Sequence, residues 1–384
     1  MKEKLITILL TLIISILFAQ DNTITPLGKG LLNVKSKDDS WSSKLTIRFQ
    51  PRYDGLNNMT EGSYSDRIYI RRARIKGSGH VFSPKIKYKF EFDLVNGQVL
   101  DALIKWNFAG NWTLWFGQAK IPGNLERIFS SQKLQMVDRS LLNSKFTLDR
   151  DAGFQLRHHF TIGNTFLVRE VVSVSQGEGL NQKLYSSGYS YTGRIELLPF
   201  GKFTGKGDYF ASDLKREKTP KLMLSVVYDF NQNAMRSRGQ EGDYISNIDD
   251  LRNLKTIFVD AHLKYRGFSA LGEYSKRKTN GNPNVEPLYD DAGDEILGDY
   301  TYYTGSALNL QAGYLFKNNW EVAGRYTQVS PETNTGYNNL TQFTMGISRY
   351  VVGHNLKIQG DIGFTQEATK DDQLLIRLQT ELAF

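Results

Sequence analysis

From Lys44 to the C-terminus, apolar and polar residues alternate with a period of two, the spacing of a strand with one greasy and one wet face. Ile86, Tyr88, Phe90, Phe92 and Leu94 alternate with Lys85, Lys87, Lys89, Glu91 and Asp93. Ala102, Ile104, Trp106 and Phe108 alternate with Asp101, Lys105 and Asn107. The pattern predicts strands near 44–53, 67–82, 85–95, 99–109, 111–120, 152–160, 164–175 and 188–200. A second set follows near 219–231, 254–266, 268–278, 302–316, 319–330, 339–351, 354–366 and 373–384. Many reach ten residues, whereas strands of globular proteins average about 5–6. Ten residues rising roughly 3.3 Å each at a tilt of about 40° climb about 25 Å, the apolar height of an outer membrane.

The connections alternate as well. Ser83-Pro84, Ala109-Gly110, Thr161 to Gly163, Gly267, Lys317-Asn318 and Val352-Gly353 are tight turns. Between them lie longer polar segments at 54–66, 121–151, 176–187, 232–253, 279–301 and 331–338. Two connections depart from the rule: Asn96-Gly97 is short, and Gly201 to Lys218 is long on the turn side. A soluble sandwich shares the alternation but has no reason to sort its connections by length. The prediction is all-β: a 16-stranded antiparallel transmembrane barrel over 44–384 with a long third loop folded inward. Tyr53, Tyr69, Trp112, Tyr189, Tyr265, Trp320, Tyr326 and Tyr350 near strand ends suggest interfacial girdles. The last strand carries Leu374, Ile376, Leu378, Leu382 and a terminal Phe384 on one face, like the signal read by the outer-membrane assembly machinery.

The N-terminus has a different character. Lys2 and Lys4 precede an apolar run from Leu5 to Phe18, with Ala19 at a plausible cleavage point. Residues 1–19 therefore read as a signal peptide, too short for a spanning helix, and 20–43 as a short N-terminal periplasmic segment. The chain has no cysteine, so disulfides and thiolate metal sites are excluded. No metal-ligand spacing or cofactor motif is present. His158 and His159 are adjacent on a strand and point to opposite faces, so they do not form a nucleophile and base pair. An enzyme is not expected. The net charge of +8 favours anionic partners, and export makes nucleic acid an unsuitable one.

The barrel frame sends that charge inward. Leu45, Ile47 and Phe49 face out on the first strand, which puts Lys44, Arg48 and Arg52 inside. On the second, Tyr69, Ala73 and Ile75 are expected outside, with Arg72, Arg74 and Lys76 inside and Arg71 on the outer face, snorkelling towards an interface. Lys85, Lys87, Lys89 and Lys105 complete ten inward cations against Glu91, Asp93 and Asp101. Later strands look balanced: Arg157, Arg194, Arg325, Lys357 and Arg377 meet Glu196, Asp260, Glu273, Glu321, Asp361 and Glu381. Glu170 falls on the apolar face unless a bulge shifts its strand. A lipid-facing Arg or Lys at the midplane costs about 2–4 kcal/mol, so the cations belong in a wet lumen. Segment 121–151 is amphipathic enough to pack inward, which would bring Lys120, Arg127, Lys133 and Arg139 to the narrowest point. Gly201 to Gly207 lacks nucleotide-loop spacing and reads as a flexible periplasmic turn.

Five fragments in order resemble the phosphate-selective porin O and P family. These are Gly28 to Leu31 with Lys44 to Tyr53, then Ile70 to Ile75, Phe116 to Pro122, a group in the third loop (Leu125-Glu126, Ser130-Ser131, Asp138 to Ser140), and Gly353 to Gln359. The resemblance implies a 16-stranded, usually trimeric barrel in the Gram-negative outer membrane, with a basic eyelet formed partly by the inward third loop. The expected function is passive diffusion of small anions, phosphate or related oxyanions. The expected pathway is Arg48, Arg52, Arg72, Arg74, Lys76, Lys85, Lys87, Lys89, Lys105, Lys120, Arg127 and Arg139. A weakly selective porin and a closed structural barrel are the alternatives.

Overall fold

The computed structural model describes residues 23–24, 31–59, 61–183, 188–289 and 298–384. The signal-peptide reading of 1–19 lies outside these residues. Two short N-terminal strands, Thr23–Ile24 and Leu32–Lys35, pair with each other, and the second adds to the start of the barrel's first strand.

Sixteen antiparallel strands follow: β1 (Ser42–Asn58), β2 (Ser63–Val81), β3 (Ser83–Asp93), β4 (Gln98–Ala109), β5 (Trp112–Lys120), β6 (Arg150–Ile162), β7 (Phe166–Ser175) and β8 (Ser190–Leu198). The second half comprises β9 (Lys221–Ala234), β10 (Arg252–Tyr265), β11 (Phe268–Thr279), β12 (Gly305–Leu315), β13 (Trp320–Pro331), β14 (Leu340–Val352), β15 (Leu356–Glu367) and β16 (Lys370–Ala383). Each pairs with its sequence neighbours, and β16 returns to β1 from Gln373↔Asn58 to Ala383↔Arg48. Closure leaves no unpaired edge, the condition for a sheet to cross lipid. Alternate side chains divide as the sequence predicts. Ile104, Phe116, Ile195, Val226, Val259 and Leu310 are exposed on the outside, while Gln50, Arg194, Glu273 and Lys357 are buried inside.

The 54–66 segment is mostly strand and turns within 59–62, because the pairing of β1 with β2 runs on to Asn58↔Ser63. A bulge interrupts the same pair. Gln50 faces Arg72 and Pro51 faces Ile70, so Arg71 is the extra residue. Proline has no N–H for the ladder, and a bulge is where a strand tolerates it. Below the bulge the faces of β2 exchange. Tyr69 points inward and donates to Asp54 Oδ2 at 2.9 Å, and Arg71 reaches Asp138 at 3.5 Å instead of the lipid face. Tyr350 is also internal, donating to Glu321 at 2.6 Å, so neither tyrosine belongs to a girdle. Glu170 stays on the outer face without a bulge and pairs with His158 at 2.9 Å.

Two connections enter the interior. Segment 121–149, with short helices α1 (Leu125–Ile128) and α2 (Leu141–Phe146), bonds to inner-face side chains of the later strands. Arg194 donates to the Gly123 carbonyl at 2.7 Å, Arg277 to Phe146 at 2.7 Å and Lys357 to Leu134 at 2.9 Å. The 199–220 connection is not a loose turn. Lys264 holds the Gly207 and Ser212 carbonyls at 2.8 and 2.7 Å, and Gly267 N–H donates to Asp213 at 2.8 Å. The two segments meet where Ala211 N–H donates to the Lys133 carbonyl at 3.1 Å. Leu125, Phe129 and Leu134 of the first pack with Phe203 and Ala211 of the second, over Leu167, Leu198, Met223 and Leu271 of the wall. Each large side chain buried this way contributes about 1.5–3 kcal/mol, which explains why a long connection on the turn side is drawn in.

Candidate anion pathway

Free space remains along the wall of β2 to β6. A cavity of about 470 Å³ is lined by eleven cations and two acids, Glu91 and Asp101. The sequence-predicted residues Arg72, Arg74, Lys76, Lys89, Lys105, Lys120, Arg127 and Arg139 all line it. At one end it shares Arg72, Arg74, Arg127 and Arg150 with a second cavity, which reaches Asn96 of the short connection between β3 and β4 and Gln182 and Gln240 of the long loops. At the other it shares Lys76, Lys89 and Lys105 with a third, which reaches His80 and Lys87 near the short turn after β2. The shared walls form a series from one rim to the other.

The remaining candidates lie elsewhere. Arg48 is buried against Ser131 Oγ at 2.6 Å, and Arg52 pairs with Asp138 at 2.7 Å. Lys87 lines the cavity at the short-turn end, and Lys85 is exposed next to that turn. Lys133 lies over the Phe210 ring, 3.6 Å from its centroid. Sequence reasoning missed Arg150, which it left in the loop, and Lys206, which it left in a flexible turn. It also counted Arg157 with the balanced strands. All three line the main cavity. The signal for Arg157 was its alternation with Phe154 and Leu156. Lys206 had only the anomalous length of its connection.

The cations differ in how far they are neutralised. Glu91 serves Arg74 at 2.9 Å and Lys89 at 3.3 Å, and Asp101 serves Arg150 at 2.7 Å and also Lys89. Asp138 is shared by Arg52, Arg71 at 3.5 Å and Arg72 at 3.6 Å. Burial raises the Asp138 carboxyl, but Arg72, Arg71 and Arg52 together hold it well below the usual carboxylate range. One negative charge against three guanidiniums leaves a surplus. Lys120 is satisfied by the carbonyls of Arg127 and Phe129, at 2.5 and 2.9 Å, and Arg139 by those of Glu126 and Phe129, at 3.0 and 2.8 Å. Among the described residues, Lys76, Lys105, Arg157 and Lys206 have no carboxylate oxygen within 4.0 Å.

Two of these flank one aromatic ring. Lys105 Nζ lies 3.8 Å from the Trp115 ring centroid and Arg157 Cζ 3.9 Å from it. They come from the strands on either side of β5, with Lys105 opposite Trp115 and Arg157 opposite Thr113. Each contact contributes about 0.5–2 kcal/mol without cancelling the charge. On the loop, Arg127 pairs with Asp149, its Nε donating to Oδ1 at 2.6 Å, while burial first, then Arg139 and Arg150, push it below its ordinary value. Burial first pushes Arg139 down to about 10 against the opposing pull of Glu126. Arginine keeps its proton in proteins.

The chain matches the phosphate-selective porin O and P family over residues 44–375. It is similar to an uncharacterized protein of Aquifex aeolicus (strain VF5), 24% identical and aligned over 89% of this chain and 87% of that one. The fold is similar to the outer membrane channel DcaP of Acinetobacter baumannii, with TM-score 0.55, 14% identity, and coverage of 91% of this chain and 99% of that chain. It is likewise similar to an anion-selective porin from Comamonas acidovorans, with TM-score 0.54, 11% identity, and coverage of 90% and 100%.

Proposed function

The chain belongs to the phosphate-selective porin O and P family, and from that premise and the geometry of its lumen we propose that this outer-membrane channel passes small anions, phosphate-like oxyanions in particular. The observation that carries the reading is the eleven-to-two excess of cations around the main cavity. At 4 Å and an effective dielectric near 20, one ion pair is worth about 4 kcal/mol. An anion therefore finds attraction at each step, and a cation finds repulsion. Partial neutralisation by Glu91, Asp101 and Asp138 keeps single sites moderate, and conduction needs release as much as binding. Guanidinium forks add a match to phosphate or carboxylate oxygens that chloride does not use.

Segment 121–149 serves in this reading as the constriction, with Arg127 and Arg139 on its pore side. The rim with short turns faces the periplasm, as in other barrels of this type. Secretion by the 1–19 leader, insertion through the last strand and assembly as a homotrimer belong to the same proposal.

Planar-bilayer recording of the purified protein tests it. In a salt gradient the reversal potential is expected on the anion side, and phosphate at low concentration is expected to block chloride current. Conductance without ion preference would replace this reading with a general-diffusion pore. No conductance at all would indicate a closed scaffold.

A further inference from the structure

Resting on the anion-channel reading, we infer that Trp115 is a positioning residue for a separate oxyanion station on the periplasmic half of the pathway, built from Lys105, Arg157 and Lys206. Lys105 and Arg157 lie against its ring at 3.8 and 3.9 Å, and Lys206 of the inward 199–220 segment lines the same cavity. Two like charges beside one another normally recruit a carboxylate. Here the ring takes that place, and neither has a carboxylate oxygen within 4.0 Å among the described residues. The Arg157 guanidinium is only part-satisfied. One Nη donates to Gln155 at 2.8 Å, while the buried Nε has no hydrogen-bond partner among the described residues. An anion with two or more oxygens could accept from such a fork, whereas a halide offers a single centre.

The station is distinct from the group around Asp138. Arg71, Arg72, Arg127 and Arg139 line the spaces towards the long loops, whereas Lys105 borders the cavity that reaches His80 and Lys87. Trp115 thus supplies the second of two stops in series, and its role is to hold cations in place.

The test is block of chloride current by inorganic phosphate in planar bilayers. Trp115→Leu is expected to raise the half-blocking concentration ~10-fold, the effect of losing one to two cation–π contacts. Trp115→Phe, which keeps an aromatic face, should recover most of that loss. Lys105→Gln and Arg157→Gln should each weaken block as Trp115→Leu does. Phosphate should also change the indole emission of the native channel, and that change should vanish in Trp115→Phe. This second measurement does not depend on the leucine variant folding. If Trp115→Leu leaves block untouched while Lys105→Gln and Arg157→Gln weaken it, the positioning role is overturned. If those two also leave it untouched while Arg72→Gln weakens it, the station is overturned and the anion channel stands. If none of these changes alters block or reversal potential, the placement of the anion pathway along this wall fails with the station.

Discussion

The walls of β2 to β6 and β7 to β16 draw on the same alternating pattern, yet their inward charges do opposite things. On the later strands a cation is enclosed. Arg194, almost fully buried, is held by Glu196 at 2.8 Å, Asp260 at 2.9 Å, Ser225 at 2.9 Å and the Gly123 carbonyl. On the early strands Lys76 and Lys105 face the cavity with no carboxylate within 4.0 Å among the described residues. A charge with all its partners present is a structural fastening, whereas a charge left short of partners attracts a solute. What decides between the two is whether an inward segment covers the wall, and inward orientation does not decide it.

The sharpest way to break this contrast is Arg194→Gln. It would strand Asp260 as a buried acid, Glu196 keeping Arg169 at 3.2 Å, and breaking a buried pair costs about 3–5 kcal/mol. A large fall in the urea midpoint of the folded, heat-modifiable band is expected, with ion preference kept in whatever folds. Next in size is replacing 204–217 by a short turn. Emptying the covered half should raise single-channel conductance severalfold, and an unchanged value would mean that this segment does not limit the pore. Lys76→Gln with Lys105→Gln should do the reverse of Arg194→Gln. Stability should hold within about 0.5 kcal/mol while the reversal potential moves towards zero.

The smallest effect lies where the two halves join at the long loops. Burial, together with nearby Asp151, pushes Glu178 up to about 7 against the Met235 N–H that it accepts. Its folded pKa is therefore above the unfolded value near ~4.3. The folded loop holds more protons between these values, so its stability is full below the lower one and declines as pH rises through 7. Limited proteolysis around Glu178 should be faster at pH 8.5 than at pH 5.5, and Glu178→Gln should remove the difference.

Much of this was legible in the sequence. Period two gave the strands and their number, and inward placement of Arg72, Arg74, Lys76 and Lys105 followed from which neighbours were apolar. The reading failed where the period is broken. Tyr69 and Arg71 were assigned to the wrong face because the bulge opposite Pro51 inverts the count, although a proline inside a paired strand was itself the warning. Trp115 was hidden for another reason. In Trp112 to Phe116 most residues are apolar, so the alternation that marks an inward position is invisible there. The inward course of 199–220 depends on Phe203 and Ala211 finding Phe129 and Leu134, contacts remote in sequence.

The backbone hydrogen bond from Ala211 N–H to the Lys133 carbonyl joins a segment that enters from the short-turn rim to one that enters from the long-loop rim. Neither can swing out of the bore without letting go of the other. Aperture is therefore a joint property of both rims: a grip on the segment from the short-turn rim would be felt along 121–149, and a ligand on the long-loop rim would disturb the opposite end.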